Sequence, residues 1–291
     1  MRTIQPLSLL GLALAAILCL PQRVTAAVTI NGAELTGPAT APTGLTVKDC
    51  QTLTEADYRQ IRQFTSLKSL SFGSGLDDAA LKLLAGLPSL ETFTSNGANV
   101  TDDGIRSLAM LPNLRTLTFF HHGKNFQGTG LAALAALPNL ERFSVCGSLA
   151  FADPGLTAVA GLTHLQGVRV WHTGVTITGV KALRALKELK SLTIGQRLAA
   201  TPPVTLNDDT VAVLAEFTAL EALTLQEARL SLTALSRLNQ LPNLKRLTLD
   251  SIDIPENDIA TLRKTLPKTD IKWTPPTEPA QRRITSLFGP R

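Results

Sequence analysis

The stretch VTDDGIRSLAMLPNLRTLTFF, Val100 to Phe120, decides the fold. Its apolar positions are Ile105, Leu108, Leu111, Leu114, Leu117 and Phe119, so the gaps run three, three, three, three and two. Residues two apart share a strand face, which sends Leu117 and Phe119 one way and Thr118 and Phe120 the other. The earlier positions, three apart after the polar opening TDDG, suit the inner face of a short helix. One strand and one short helix cannot enclose their own apolar face, so such a unit needs neighbours.

Those neighbours are in the chain. LSLTALSRLNQLPNLKRLTLD, from Leu230, repeats the spacing at Leu235, Leu238, Leu241, Leu244, Leu247 and Leu249. Rows begin at Leu53, Leu76, Val100, Phe126, Phe151, Val175, Leu206, Leu230 and Ile254. Proline follows Leu87, Leu111, Leu137 and Leu241, where its missing N–H ends the helix of each row.

This period and its LxxLxL pattern resemble the leucine-rich repeat family over residues 53 to 273, and rows such as GLAALAALPNL resemble its short-helix bacterial type. The resemblance implies an α/β solenoid curved like a horseshoe, with about nine repeats of about 24 residues. A parallel sheet would line the concave side and short helices the convex side. It also implies recognition rather than catalysis, and an exported bacterial protein. The family's Asn after the strand is replaced here by Ala98, Thr173, Ala228 and Ile252, so its side-chain ladder is expected to be missing.

The ends read differently. Residues 1–26 carry an apolar run from Leu7 to Leu20 and small residues up to Ala26, the pattern of a cleaved signal peptide. The run is short for a spanning helix, which needs about 20 residues. The expected location is therefore periplasmic or extracellular, without a membrane span. Leu18 before Cys19 argues against lipidation, which wants a small side chain there. Residues 27–52 form an N-terminal segment in which LTVKDC adds a capping strand. Residues 274–291 are a Pro-rich basic tail, expected to be mobile, as is NGAELTGPATAPTG near the start.

Loss of Arg2 and Arg23 with the leader lowers the basic excess from five to three, too little for a nucleic-acid surface. Cys50 and Cys146 lie about four strands, or about 19 Å, apart and read as free thiols, since a disulfide needs Cα atoms within roughly 7 Å.

Aromatic residues make up only 4% of the chain, and nearly all fall on core positions of the repeat. Phe120 and Trp171 do not. Both occupy the column just after the strand's second apolar site, pointing to the concave face about 10 Å apart with Cys146 between them. His121 and His172 follow in the next column, and Arg142 and Arg169 lie in the columns before. These six residues form the candidate ligand site, with the aromatic and Arg character of binding hot spots. The competing reading is that they are scattered surface side chains without a role. A Pro-rich insertion, Gln196 to Thr205, borders them.

Catalytic chemistry is not legible. Asp77/Asp78, Asp102/Asp103 and Asp208/Asp209 recur where each helix begins and read as helix caps. His121 and His122 alternate faces, and His121 and His172 are about 10 Å apart, so no metal site is expected. No cofactor motif is present. The sequence thus points to a non-enzymatic, monomeric exported protein that binds a protein or peptide on its concave face. The alternative is a carbohydrate or cell-envelope polymer held by the same aromatics.

Overall fold

The computed structural model describes residues 30, 32–38, 40–196 and 204–290. The expected leader lies outside the described residues, as does most of the Pro-rich insertion. Eleven strands form one sheet in chain order: β1 (Ala33–Thr36), β2 (Gly44–Asp49), β3 (Ser69–Ser74), β4 (Thr92–Asn96), β5 (Thr116–Phe120), β6 (Arg142–Cys146), β7 (Gly167–Trp171), β8 (Ser191–Gly195), β9 (Ala222–Gln226), β10 (Arg246–Asp250) and β11 (Asp270–Thr274). From β2 onward every pair is parallel. Equivalent row positions pair from β5 to β11, so Thr116, Arg142, Gly167, Ser191, Ala222, Arg246 and Asp270 stand side by side. Columns written from the repeat are therefore real columns on the sheet. The fold is the leucine-rich-repeat solenoid.

Short helices return the chain between strands: α1 (Glu55–Ile61), α2 (Asp78–Leu84), α3 (Asp102–Ile105), α4 (Asp153–Ala160), α5 (Ile177–Ala182), α6 (Asp208–Leu214), α7 (Leu232–Ser236) and α8 (Glu256–Thr265). The row from Phe126 uses a 3-10 helix, Thr129–Ala136, instead. The apolar lattice of the opening stretch, Ile105 through Phe119, is buried throughout. It belongs to one core running from Ile30 to Ile271.

Two side-chain ladders tie the rows together, and the sequence reading anticipated neither. The residue two places into a row reaches forward to the next. Asp78 accepts bonds from Thr101 N and Oγ1, Asp153 from Thr176 N and Oγ1 and from Gly179 N, and Asp208 from Ser231 N. Asp102 takes three backbone N–H groups, of Gln127, Gly128 and Gly130. Of the three acidic pairs, only Asp77 caps its own helix, accepting from Ala80 N. On the other edge, Asn113, Asn139 and Asn243 of the LPNL segments donate to carbonyls of the preceding row. Asp on one edge and Asn on the other thus replace the Asn ladder of the family pattern.

Both ends are more ordered than expected. Ala33–Thr36, within the segment read as mobile, pairs antiparallel with β2 through a turn at Gly37 and Pro38. At the other end the tail folds into a helix, α9 (Glu278–Phe288). Ala280 and Ile284 are buried and Phe288 packs on the core, four residues apart each time and hence on one helical face. Thr277 caps the helix, and Pro279 sits in its first turn, where proline is tolerated because the N–H has no partner anyway. Arg229 donates to the Gly289 carbonyl and pairs with Asp253, fixing the far end. Prolines read as a sign of mobility thus begin a docked helix.

Candidate functional site

The site begins with a backbone requirement. The residue after β4, β5, β6, β7, β9 and β10 sits in the left-handed region: Gly97, His121, Gly147, His172, Glu227 and Ser251 all have φ between 52° and 67°. The N–H of Gly97, His121, Gly147 and Glu227, like that of Gln196 after β8, bonds the last carbonyl of the next strand where the chain turns off the sheet. Glycine adopts the left-handed conformation freely, whereas an L-residue there costs roughly 1–2 kcal/mol. Of the four such positions that bear a side chain, His172 and Glu227 meet beside Trp171, and His121 stands two strands away beside Phe120. Strained backbone of this kind concentrates at functional sites.

Trp171 is the centre. A Cβ on Gly195, the paired position on β8, would lie 2.0 Å from Trp171 Cδ1, so the indole lies across that glycine. The ring reaches on to the following row, where its Nε1 donates to Glu227 Oε2 at 2.9 Å. His172 Nε2 stands 2.5 Å from the same oxygen. Burial pushes the Glu227 carboxyl up, but the bonds from His172 and Trp171, with the charges of His172 and Arg283 on α9, outweigh it. The group is held below its ordinary value and stays ionised. Over the indole lies the Arg169 guanidinium, 5.5 Å from the ring centroid.

The structure sorts five of the six candidate residues into two groups and leaves Arg142 beside them. Arg169, Trp171 and His172 belong to one connected cluster, completed by Glu227. Phe120 and His121 stand two strands away, their rings 6.4 Å apart, with the His121 ring against Gly147 and its Nδ1 3.0 Å from Asn96 Oδ1. Among the described residues no hydrogen bond, ion pair or ring contact joins the groups. Cys146, between them in the register, is buried rather than solvent-facing. Its thiol is pushed up by that burial. Cys50 and Cys146 are both free thiols. Arg142 is exposed and shares a shallow depression with Arg169. Glu227 stands in the next row but one, beyond an insertion, and that separation in sequence hides its tie to Trp171.

Gly195→Ala is expected to lift the Trp171 ring and break its bond to Glu227. Trp171 emission should then shift to the red, with Trp273 subtracted using a Trp171→Phe reference, at a stability cost of about 1–3 kcal/mol for forcing a methyl into packed space. Unchanged emission would show that the indole does not lie on Gly195.

A hollow of about 590 Å³ lies elsewhere, on the strand-to-helix edge between Asn207, Arg229 and Phe288. Its one cation, Arg229, is already met by Asp253 and the Gly289 carbonyl, and none of the candidate residues reaches it. Among the described residues no cluster of His, Cys, Asp or Glu could hold a metal ion.

A parallel sheet with one strand and one short helix per row makes this a leucine-rich-repeat solenoid, with the candidate site on its concave column. The TLR13–ssRNA13 complex has a similar fold, with a TM-score of 0.51 and 17% identity over 80% of this chain and 32% of that one. An internalin from Listeria monocytogenes is similar at a TM-score of 0.48 and 21% identity, covering 74% of this chain and 69% of its own. A Leptospira interrogans leucine-rich-repeat protein matches at a TM-score of 0.38 and 19% identity, covering 74% and 68%. No protein-family model and no curated protein matches the sequence.

Proposed function

We propose that this chain is a non-enzymatic, exported recognition protein that holds a protein or peptide on the concave face of its solenoid, centred on Phe120 and Trp171. One observation carries the reading. Trp171 is half-buried on that face and locked in place by the Gly195 floor, Glu227 and Arg169. An aromatic side chain fixed before binding loses little entropy when a partner covers it, which is how hot-spot residues act. Export rests on the sequence of residues 1–26; among the described residues no helix is long and apolar enough to cross a membrane. A sugar polymer is the second reading, favoured by the hydroxyls of Thr118, Ser144 and Thr193, which neighbour the same rings on the sheet.

The test is affinity capture from the source organism's envelope and culture fluid, with proteins and glycans both read out. The native protein should retain a partner that Phe120→Ala/Trp171→Ala loses by about tenfold or more. Equal capture by both forms would remove the concave face from consideration.

A further inference from the structure

We propose that the depression between Arg142 and Arg169 takes a carboxylate from an acidic partner segment, in which a residue two positions away rests its apolar side chain on Trp171. The proposal rests on the concave-face reading above and adds the chemistry of the partner.

Geometry comes first. Arg142 pairs with Gly167 and Ser144 with Arg169 across β6 and β7, so the two arginines are diagonal neighbours about 7–8 Å apart. Gly167 leaves its place on the sheet empty, and a Cβ there would be 3.5 Å from Arg142 Cγ. The result is a hollow of about 200 Å³, walled by the two arginines and by Ser144, Ser191 and Thr193. Two cations and three hydroxyls around a small space suit a planar anion, and guanidinium matches carboxylate in a two-point fork.

Charge makes the case specific. Several cations of other rows are paired across rows: Lys68 with Glu91 at 3.2 Å, Arg115 with Glu141 at 2.7 Å, Arg184 with Glu216 at 2.7 Å and Lys245 with Glu221 at 2.7 Å. Arg142 has only Glu141, at 4.0 Å, and that carboxylate is taken by Arg115. Arg169 forms no ion pair among the described residues, and its Nε is buried without an acceptor. A charge partly withdrawn from water and left unmatched is costly, and an incoming carboxylate on the guanidinium offsets that cost. The Trp171 ring, its centroid 5.5 Å from the guanidinium carbon, favours the cation in this place.

Spacing favours a peptide over an acidic sugar. Arg169 and Trp171 are two residues apart on one strand, about 6.6 Å, which is the repeat of alternate side chains in an extended segment. An acidic residue and an apolar one separated by a single residue would meet both at once.

The experiment uses the purified full chain on arrays of blocked nonapeptides carrying Glu-x-Phe, Gln-x-Phe, Lys-x-Phe or the misspaced Glu-x-x-x-Phe, with polygalacturonate as an acidic sugar control. Arg169→Ala, Arg169→Lys and Phe120→Ala/Trp171→Ala are probed alongside, each checked for the native circular dichroism spectrum. Arg169→Gln replaces either Arg169 variant that fails this check, and Phe120→Leu/Trp171→Leu replaces the double variant. Glu-x-Phe should exceed Gln-x-Phe and the misspaced set by roughly tenfold, the factor for one charge-assisted hydrogen bond. Arg169→Ala should abolish that preference, and Arg169→Lys should retain part of it. Peptide binding that shows no acid preference yet vanishes in Phe120→Ala/Trp171→Ala overturns the carboxylate proposal and leaves the concave reading standing. Peptide binding that survives this double substitution overturns both. Retention on polygalacturonate alone, or on no probe, overturns the proposal as stated.

Discussion

Lowering the pH from about 7.5 to about 4 is expected to destabilise the fold by about 3 kcal/mol through one side chain, His122. Its imidazole is buried in the core, 5.1 Å from the Phe119 ring and 4.8 Å from Phe126. Nδ1 has no partner, and Nε2 is 3.4 Å from the Ser95 carbonyl. Burial lowers its pKa from 6.5 to about 4, the Ser95 carbonyl opposing and the neighbouring His121 assisting. The folded value is depressed, so between 6.5 and 4 the unfolded chain binds a proton that the folded chain refuses. Stability is therefore complete above the upper value and is lost as the pH falls through that window. Urea midpoints measured across the range should separate the native protein from His122→Phe, whose curve lacks this loss. Parallel curves would place the acid sensitivity elsewhere.

Asp102→Ala should cost roughly 3 kcal/mol, whereas Asp103→Ala, one residue away, should cost close to nothing. Asp102 accepts three backbone N–H groups of the next row at 2.7–3.1 Å, all around the start of the 3-10 helix at Thr129. Alanine leaves those donors without their charged acceptor, two of them in partly buried positions. Asp103 is exposed and reaches only Arg106, at 3.4 Å, an interaction that solvent screens. Asp102→Asn should fall between, since one oxygen can still serve Gly128 and Gly130. Chemical denaturation of the three variants checks the order, and equal losses at Asp102 and Asp103 would refute the ladder role.

The core was legible because its signal is periodic. A leucine recurring at fixed offsets can only be explained by burial, and Leu108, Leu111, Leu114 and Leu117 are buried as the spacing required. The concave column was legible for the same reason, since strand alternation fixes which way Phe120 and Trp171 face. Partnerships between rows were not. TDDG looks the same whether its carboxylates serve their own helix or the next, and only coordinates distinguish Asp77 from Asp78. The left-handed backbone at His121, His172 and Glu227 was hidden because only Gly97 and Gly147 announce that column in the sequence. Ala280, Ile284 and Phe288 did carry a helical stripe, but the surrounding prolines drew the reading toward mobility.

The reach of Trp171 has a consequence for how the array comes apart. In a solenoid each unit ordinarily touches only its two neighbours, so its energetics resemble a one-dimensional lattice with nearest-neighbour coupling. An insertion between two units is then the natural place for such a lattice to split. Here a side chain on β7 passes over β8 and is tied to the turn after β9, on both sides of the Gln196 to Thr205 insertion. That is a second-neighbour coupling, placed where the lattice would otherwise be weakest. Unzipping begun at either end should therefore meet rows five to seven as one cooperative block.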